Sequence, residues 1–477
     1  MLERILEGEE SVRECWWYKL AHICRRWRYL ILGSASYLGL CLVCTNSTPV
    51  ADMLAHSPPF PLIIGYVQDH PHSVSEFTAE DEEGFTLALE HSNRVRCICL
   101  RIPALKLQKL VASINGEYPR LDYLNIRPPT KTGSCPTLPE TFRAPHLRHV
   151  VLTNFFFPLG SPLLTTAAPV GLVTLCLSRA LPTAFVQPKY LLQWLASMPQ
   201  LETLLIEYLL PVPNYVVERQ LSDIPITTRV TLPNLYRFRF GGVNDGYLEA
   251  LLHRITTPRL KRLHIMFFSP FTYSVPSLLQ FIETTENIQF SAARFRFSRR
   301  DVCAKMYPSE KSETYALYIG IPSAILDWQV SSAAQIFNAL SPALSTVEHL
   351  TLEGKDRGVD REVDRTNWHN FLRTFGNVKT LVVDDSLVKE LSQSLRPDDG
   401  ELPVDLLPEL KELKCSAIDN AAGIFASFVN ARQGAGRPVA LTVMRASFYD
   451  SRELLCASAA ASGLARALHS NTTHIAD

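Results

Sequence analysis

The chain has 477 residues, 47% apolar and 20% charged, enough to bury a large core. Its 47 lysines and arginines balance 47 aspartates and glutamates, so net charge gives no pull toward nucleic acid or an acidic membrane, and neither is expected as a partner. Eleven cysteines run from Cys15 to Cys456 without paired ligands at zinc spacing, which points to reduced thiols in a cytoplasmic or nuclear protein and to no metal.

In chain order, MLERILEGEESVREC is acidic and lacks the basic and apolar regions of a secretory signal, so export is not expected and the sequons at Asn46 and Asn471 should carry no sugar. In WWYKLAHICRRWRYLI the apolar residues Trp16, Leu20, Ile23, Trp27 and Leu30 follow helical spacing, while Lys19, Arg25, Arg26 and Arg28 fall largely off that face. The pattern predicts an amphipathic helix over 16–31 with aromatic anchors for a partner or for the end of a core. Tyr29 to Cys44 is uncharged but too short and too rich in glycine and serine to span a bilayer, so a helix running into a strand is expected. EFTAEDEE, after His70 and His72, reads as an exposed acidic loop rather than a metal site.

From there a phrase recurs, L-x-x-L-x-L in type and often introduced by proline: YPRLDYLNI, APHLRHVVL, PVGLVTLCL, MPQLETLLI, LPNLYRFRF, TPRLKRLHI, LSTVEHLTL, FGNVKTLVV and LPELKELKC, with a weaker copy in NRVRCICL. Its last two apolar positions lie two apart and so share one side of a strand. Between phrases, PKYLLQWLASM and DGYLEALLHRI (through Ile255) have helical spacing. A strand plus a helix per repeat predicts an α/β leucine-rich repeat solenoid over 91–445, after a helical segment at 1–40 and a connecting region at 41–90, with a cap helix and tail at 446–477. The gap between Leu260 and Val347 has room for two degenerate copies, around ENIQF and TYALYIGI. Glu353 to Trp368 reads as a solvated charged loop, RPVALTVM as a last strand and ELLCASAAASGLARAL as a closing helix.

KLAHICRRWRYLI resembles the second half of the F-box, whose pattern ends in an aliphatic residue, cysteine or serine, two mostly basic residues and a tryptophan, here Ile23, Cys24, Arg25, Arg26 and Trp27. The continuation to Tyr66 is similar to F-box and leucine-rich repeat proteins of mushroom-forming fungi. The family's leucine-proline pair is missing before the match, so the resemblance implies a truncated F-box. It further implies a substrate-recognition subunit of a cullin-RING ubiquitin ligase: Trp16, Leu20, Ile23, Trp27 and Leu30 facing a Skp adaptor, and the repeats holding a target protein. The alternative is a repeat scaffold without ligase coupling.

No phosphate loop, G-x-G-x-x-G, H-E-x-x-H or G-x-S-x-G motif is present, so neither an enzyme nor a cofactor is expected. Asp384 and Asp385 follow a strand phrase and are read as a turn rather than as an acid–base pair. Basic–aromatic runs, RFRF at 237–240 and RFRFSRR at 294–300, raise nucleic-acid binding, but Phe238 and Phe240 are phrase positions and should be buried. Asn125, Val151, Cys176, Leu205, Arg239, His264, Thr351, Val382 and Lys414 stand between inward positions and should form an exposed row. Adding the exposed residues just before the second apolar position sets Arg237 beside Arg239 and Arg262 beside His264, a basic patch and the expected contact for an acidic or phosphorylated target.

Overall fold

The computed structural model describes residues 20, 22–34, 40–46, 48–66, 77–102, 104–128, 136–155, 171–180, 186–208, 229–242, 245–267, 275–354, 364–395, 406–416 and 421–444. They fall into two compact units, Met1–Leu260 and Lys261–Asp477, each mixed α/β around a parallel-dominated sheet.

The first unit opens with helix α1 (Arg25–Gly33), strand β1 (Leu42–Cys44), α2 (Val50–His56), β2 (Leu62–Tyr66), α3 (Ala79–Glu90) and β3 (Val95–Leu100). It continues with α4 (Ala104–Ser113), β4 (Tyr123–Ile126), β5 (His149–Thr153), β6 (Thr174–Ala180), α5 (Pro188–Ala196) and β7 (Thr203–Tyr208). Short β8 (Val230–Thr231), β9 (Arg237–Gly242), α6 (Asp245–Leu252) and short β10 (Ile255–Thr256) close it. Strands β1 to β7 and β9 pair in chain order, every pair parallel, while β8 and β10 pair separately. Parallel order therefore begins at Leu42, inside the region expected to be a connector.

Three sequence expectations change here. Thr78 and Asp81 form a reciprocal capping box, so the acidic stretch EFTAEDEE starts helix α3 instead of making a loop. Ile255 leaves the helical pattern of DGYLEALLHRI and joins β10. Cys24 is extended, with φ −159° and ψ 168°, and caps α1, so the helix expected over 16–31 is interrupted just ahead of Arg25; Leu20 is helical, while 16–19 and 21 lie outside the described residues. Its sulfur accepts from the amide of Trp27, a cap in the position serine or aspartate usually fills.

The repeated phrase has a backbone cause. In eight of the nine copies the amide of the first apolar residue donates to the carbonyl three residues before it, as Leu121 to Tyr118, Leu201 to Met198, Leu235 to Leu232 and Leu410 to Leu407. Proline at the second turn position (Pro119, Pro199, Pro233, Pro408) presets φ for that turn, which explains why it introduces the phrase. The next amide donates to the equivalent carbonyl one repeat earlier, as Glu202 to Val173 and Tyr236 to Glu202, so turn and ladder fix the register together. All three apolar positions of the nine copies are buried, none more than 7% exposed.

The second unit contains β11 (Arg262–Phe267), α7 (Pro276–Thr284), β12 (Ala292–Phe297), β13 (Asp301–Tyr307), β14 (Leu317–Pro322), α8 (Leu326–Ala339) and α9 (Ser341–Leu344). There follow β15 (His349–Gly354), α10 (Arg365–Arg373), β16 (Thr380–Val383), α11 (Asp385–Ser394), β17 (Glu412–Ser416), α12 (Ala421–Gly434) and β18 (Ala440–Met444). The strand order is β11-β14-β13-β12-β15-β16-β17-β18, with β13 antiparallel to both neighbours. The gap read as two degenerate repeats thus holds three strands, β12 to β14, that form a meander. Its cause is the tight link between Phe297 and Asp301: three residues reverse a chain but cannot supply the crossover that a parallel neighbour needs.

Glu353 is a buried strand residue and Asp364 caps α10, so both ends of the expected charged loop are structured; 355–363 lie outside the described residues. RPVALTVM supplies β18, as expected, while the closing helix and His70 and His72 lie outside the described residues. Among the described residues no helix is long and apolar enough to cross a membrane.

On β12, Phe295 and Phe297 are fully buried among Phe337, Phe371, Phe375 and Trp368 at centroid distances of 4.9, 4.8, 5.6 and 5.4 Å. Phe295→Ala should cost about 3–5 kcal/mol, and Leu204→Ala about 2–5 kcal/mol. Leu205→Ala, one residue along on the half-exposed side, should cost less than half as much as Leu204→Ala, read as the smaller shift in the urea midpoint.

Candidate functional site

Three surfaces carry the side chains that sequence reasoning singled out. The first is around α1. Ile23, Trp27 and Leu30 are 62%, 47% and 56% exposed, and Tyr29 more so, while Ile31 is the helix's buried residue. Leu20 is half-buried and Trp16 lies outside the described residues. The expected five-residue face is thus not continuous: Ile23 precedes the break at Cys24, whereas Trp27 and Leu30 lie one turn apart on α1.

The second surface is the outward side of the first unit's sheet. Register places Cys99, Asn125, Val151, Cys176, Leu205 and Arg239 side by side, the row expected from the alternation. Asn125, Val151 and Cys176 are buried rather than exposed, which corrects that expectation. Small and polar side chains fill this side closely. Asn125 donates to the Tyr123 hydroxyl at 3.0 Å, Arg127 Nε donates to Asn125 at 2.9 Å, and His149 Nδ1 lies 3.1 Å from Thr174 Oγ1. Burial pushes the Cys176 thiol up to about 11 and pulls the His149 imidazole below its ordinary value. Arg237 and Arg239 stand at the β9 end of this side, Arg239 with Nη2 3.9 Å from Glu207 and a buried Nε without a hydrogen-bond partner.

The third surface lies in the second unit, which holds the other two residues of the expected basic patch. Arg262 is half-exposed on β11, and His264 stacks on Tyr318 at 4.0 Å with Nδ1 3.2 Å from the Tyr315 hydroxyl. Alongside, a cluster appears that the phrase analysis did not assemble, because its members come from the meander. Arg294 pairs in register with Lys305 on one side and Thr351 on the other, and Arg296 with Cys303 and Glu353. Glu353 receives both guanidiniums, Arg294 Nε at 3.3 Å and Arg296 Nε at 3.0 Å. Arg294 also lies over the Tyr307 ring at 5.5 Å and Lys305 over Tyr315 at 6.0 Å. Tyr318 donates to Cys303 Sγ at 2.9 Å, and burial pushes that thiol up to about 12, which keeps it protonated.

Phe238, Phe240, Phe295 and Phe297 are all buried, so the basic runs present arginines without their phenylalanines. Asp384 stands just before α11 without a side-chain capping bond to it and accepts from the Gly354 amide at 3.2 Å; burial, and then its neighbour Asp385, raise its carboxyl. That is a strand-to-helix turn, as the adjacent carboxylates suggested. Among the described residues, no three histidine, cysteine, aspartate or glutamate side chains converge as metal ligands. No protein-family model and no curated protein sequence matches the chain.

The His149 environment sets a pH response. The folded imidazole binds its proton below the ordinary value of about 6.5, so the stability it contributes is complete above that value and is lost as pH falls through the folded one. The urea midpoint should therefore decline as pH falls below about 6.5. In His149→Asn the decline should be shallower than in the unmutated chain.

Proposed function

We propose that the chain is a leucine-rich repeat protein that acts as the substrate-recognition subunit of an SCF-type cullin-RING ubiquitin ligase. In this reading the segment around α1 docks a Skp-type adaptor and the outward side of the repeat strands holds a target protein. The observation that carries it is the exposure of Ile23, Trp27, Tyr29 and Leu30 within eight residues. Scattered apolar residues are ordinary on a surface, but a cluster of large ones beside a basic face marks a partner site. It coincides with the stretch that resembles the F-box. The in-register turns and strands support a repeat array, since each unit buries its apolar side only against its neighbours.

A repeat scaffold without ligase coupling is favoured by a different observation, the extended backbone at Cys24. It separates Leu20 and Ile23 from Trp27 and Leu30, so the adaptor would meet a shorter helix than a full F-box offers.

Affinity capture of the tagged full chain, read by mass spectrometry, should bring down Skp and cullin subunits. Trp27→Ala with Ile23→Ala should remove them, because interface aromatics typically carry about 2 kcal/mol or more. The same double variant should keep its urea midpoint, since both side chains are exposed. Capture of other proteins without Skp from the unmutated chain assigns the scaffold instead.

A further inference from the structure

The meander β12–β13–β14 places three cations on one side of adjacent strands. Arg294 and Lys305 are directly opposite each other across an antiparallel pair, and Arg296 stands two residues from Arg294 on the same side. Like charges directly opposite on neighbouring strands destabilise a sheet. Glu353 offsets part of that repulsion, and Asp301, whose carboxylate reaches Cys303 Sγ at 3.5 Å, adds a second negative charge at the edge. Among the described residues, Arg294, Arg296 and Lys305 thus share this side with Glu353 and Asp301, in a chain whose overall charge is zero.

The geometry is that of a half-used clamp. Glu353 keeps only 8% of its side chain exposed, whereas Arg294 and Arg296 keep 39% and 34%. The carboxylate therefore sits beneath the two guanidiniums and fixes them through their Nε edges, while part of each faces solvent. Pre-set guanidiniums bind a second carboxylate at less entropic cost than mobile ones. The ring of Tyr307 under Arg294 and that of Tyr315 beside Lys305 hold the cations in place.

We propose that this side of β13, β12 and β15 binds an acidic, extended segment of a partner protein, anchored by its carboxylates on Arg294, Arg296 and Lys305. The assignment deepens the target-binding part of the proposed function and rests on it for its biological role. A peptide fits better than a single-stranded nucleic acid. Tyr318 is already stacked on His264, Phe295 and Phe297 face the core, and Glu353 and Asp301 oppose a continuous run of phosphates.

The test is fluorescence anisotropy of the purified full chain with a labelled peptide of glutamate, serine and glycine. The unmutated chain should bind it, more weakly as salt is raised. Arg294→Gln and Lys305→Gln should each weaken binding by about tenfold, the loss expected for one charge-assisted contact. Lys305→Gln should at the same time raise the urea midpoint, because it removes the repulsion across the strand pair. Glu353→Gln should tighten binding, since it removes an opposing charge while the amide oxygen still accepts from both guanidiniums. A merely structural role for the three cations predicts the reverse pattern, unchanged affinity in Lys305→Gln and none gained in Glu353→Gln, and would overturn the assignment. So would an unmutated chain that binds no acidic peptide, one that takes only a phosphoserine version, or one from which oligouridylate displaces the peptide at lower concentration. Because the assay contains no adaptor, its failure leaves Skp capture standing, and a failure of Skp capture leaves this site standing.

Discussion

Each strand built on the repeated phrase must put two apolar side chains, two residues apart, on its buried side, and must start on the correct residue to do so. A slip of one residue would turn the whole set outward. The turn ahead of each phrase prevents that slip. Its closing hydrogen bond ends on the first buried apolar residue, and the next amide joins the ladder of the preceding repeat. A proline in the turn reduces the freedom lost on folding. One short device thereby specifies turn, register and burial at once, which is why it recurs with so little variation while the segments between repeats vary in length.

The same alternation accounts for the chemistry of the exposed side. On β12 the inward positions are Phe295 and Phe297 and the outward ones are Arg294 and Arg296, so packing the aromatic core displays the arginines. Their partner Glu353 arrives from β15, which is distant in sequence but adjacent in the sheet. A similar logic operates around Arg432. Buried in the second unit, it donates to the carbonyls of Leu406, Leu407, Pro408 and Leu410 and so satisfies the backbone that leads into β17, where Leu407 takes a positive φ of 52°. Burial lowers its proton affinity, yet guanidinium stays charged throughout the ordinary range.

The α1 segment follows a different rule. Arg25, Arg26 and Arg28 together with exposed Ile23, Trp27 and Leu30 give the helix little that its own unit buries, apart from Ile31. A short helix held by one buried side chain and a sulfur cap gains most of its remaining stability from whatever covers it. That connects its local composition to the recognition role proposed for it.

The sequence by itself determined what depends on local rules. The turn-and-strand phrase, the helices at Pro188–Ala196 and Asp245–Leu252, the inward phenylalanines and the last strand at Ala440–Met444 were all legible from spacing two or spacing 3.6. The outward row was legible too, as a set of residues in register. Only the tertiary structure decided what depends on which strands become neighbours. Asn125, Val151 and Cys176 are buried although alternation places them outward, because packing against adjacent strands controls exposure and periodicity does not. The antiparallel β13 was hidden because a short link between two alternating strands looks the same as a degenerate repeat until pairing is known. Glu353 looked like the start of a solvated loop because its two arginine partners lie 57 and 59 positions away in the chain, and no local pattern carries a contact of that separation.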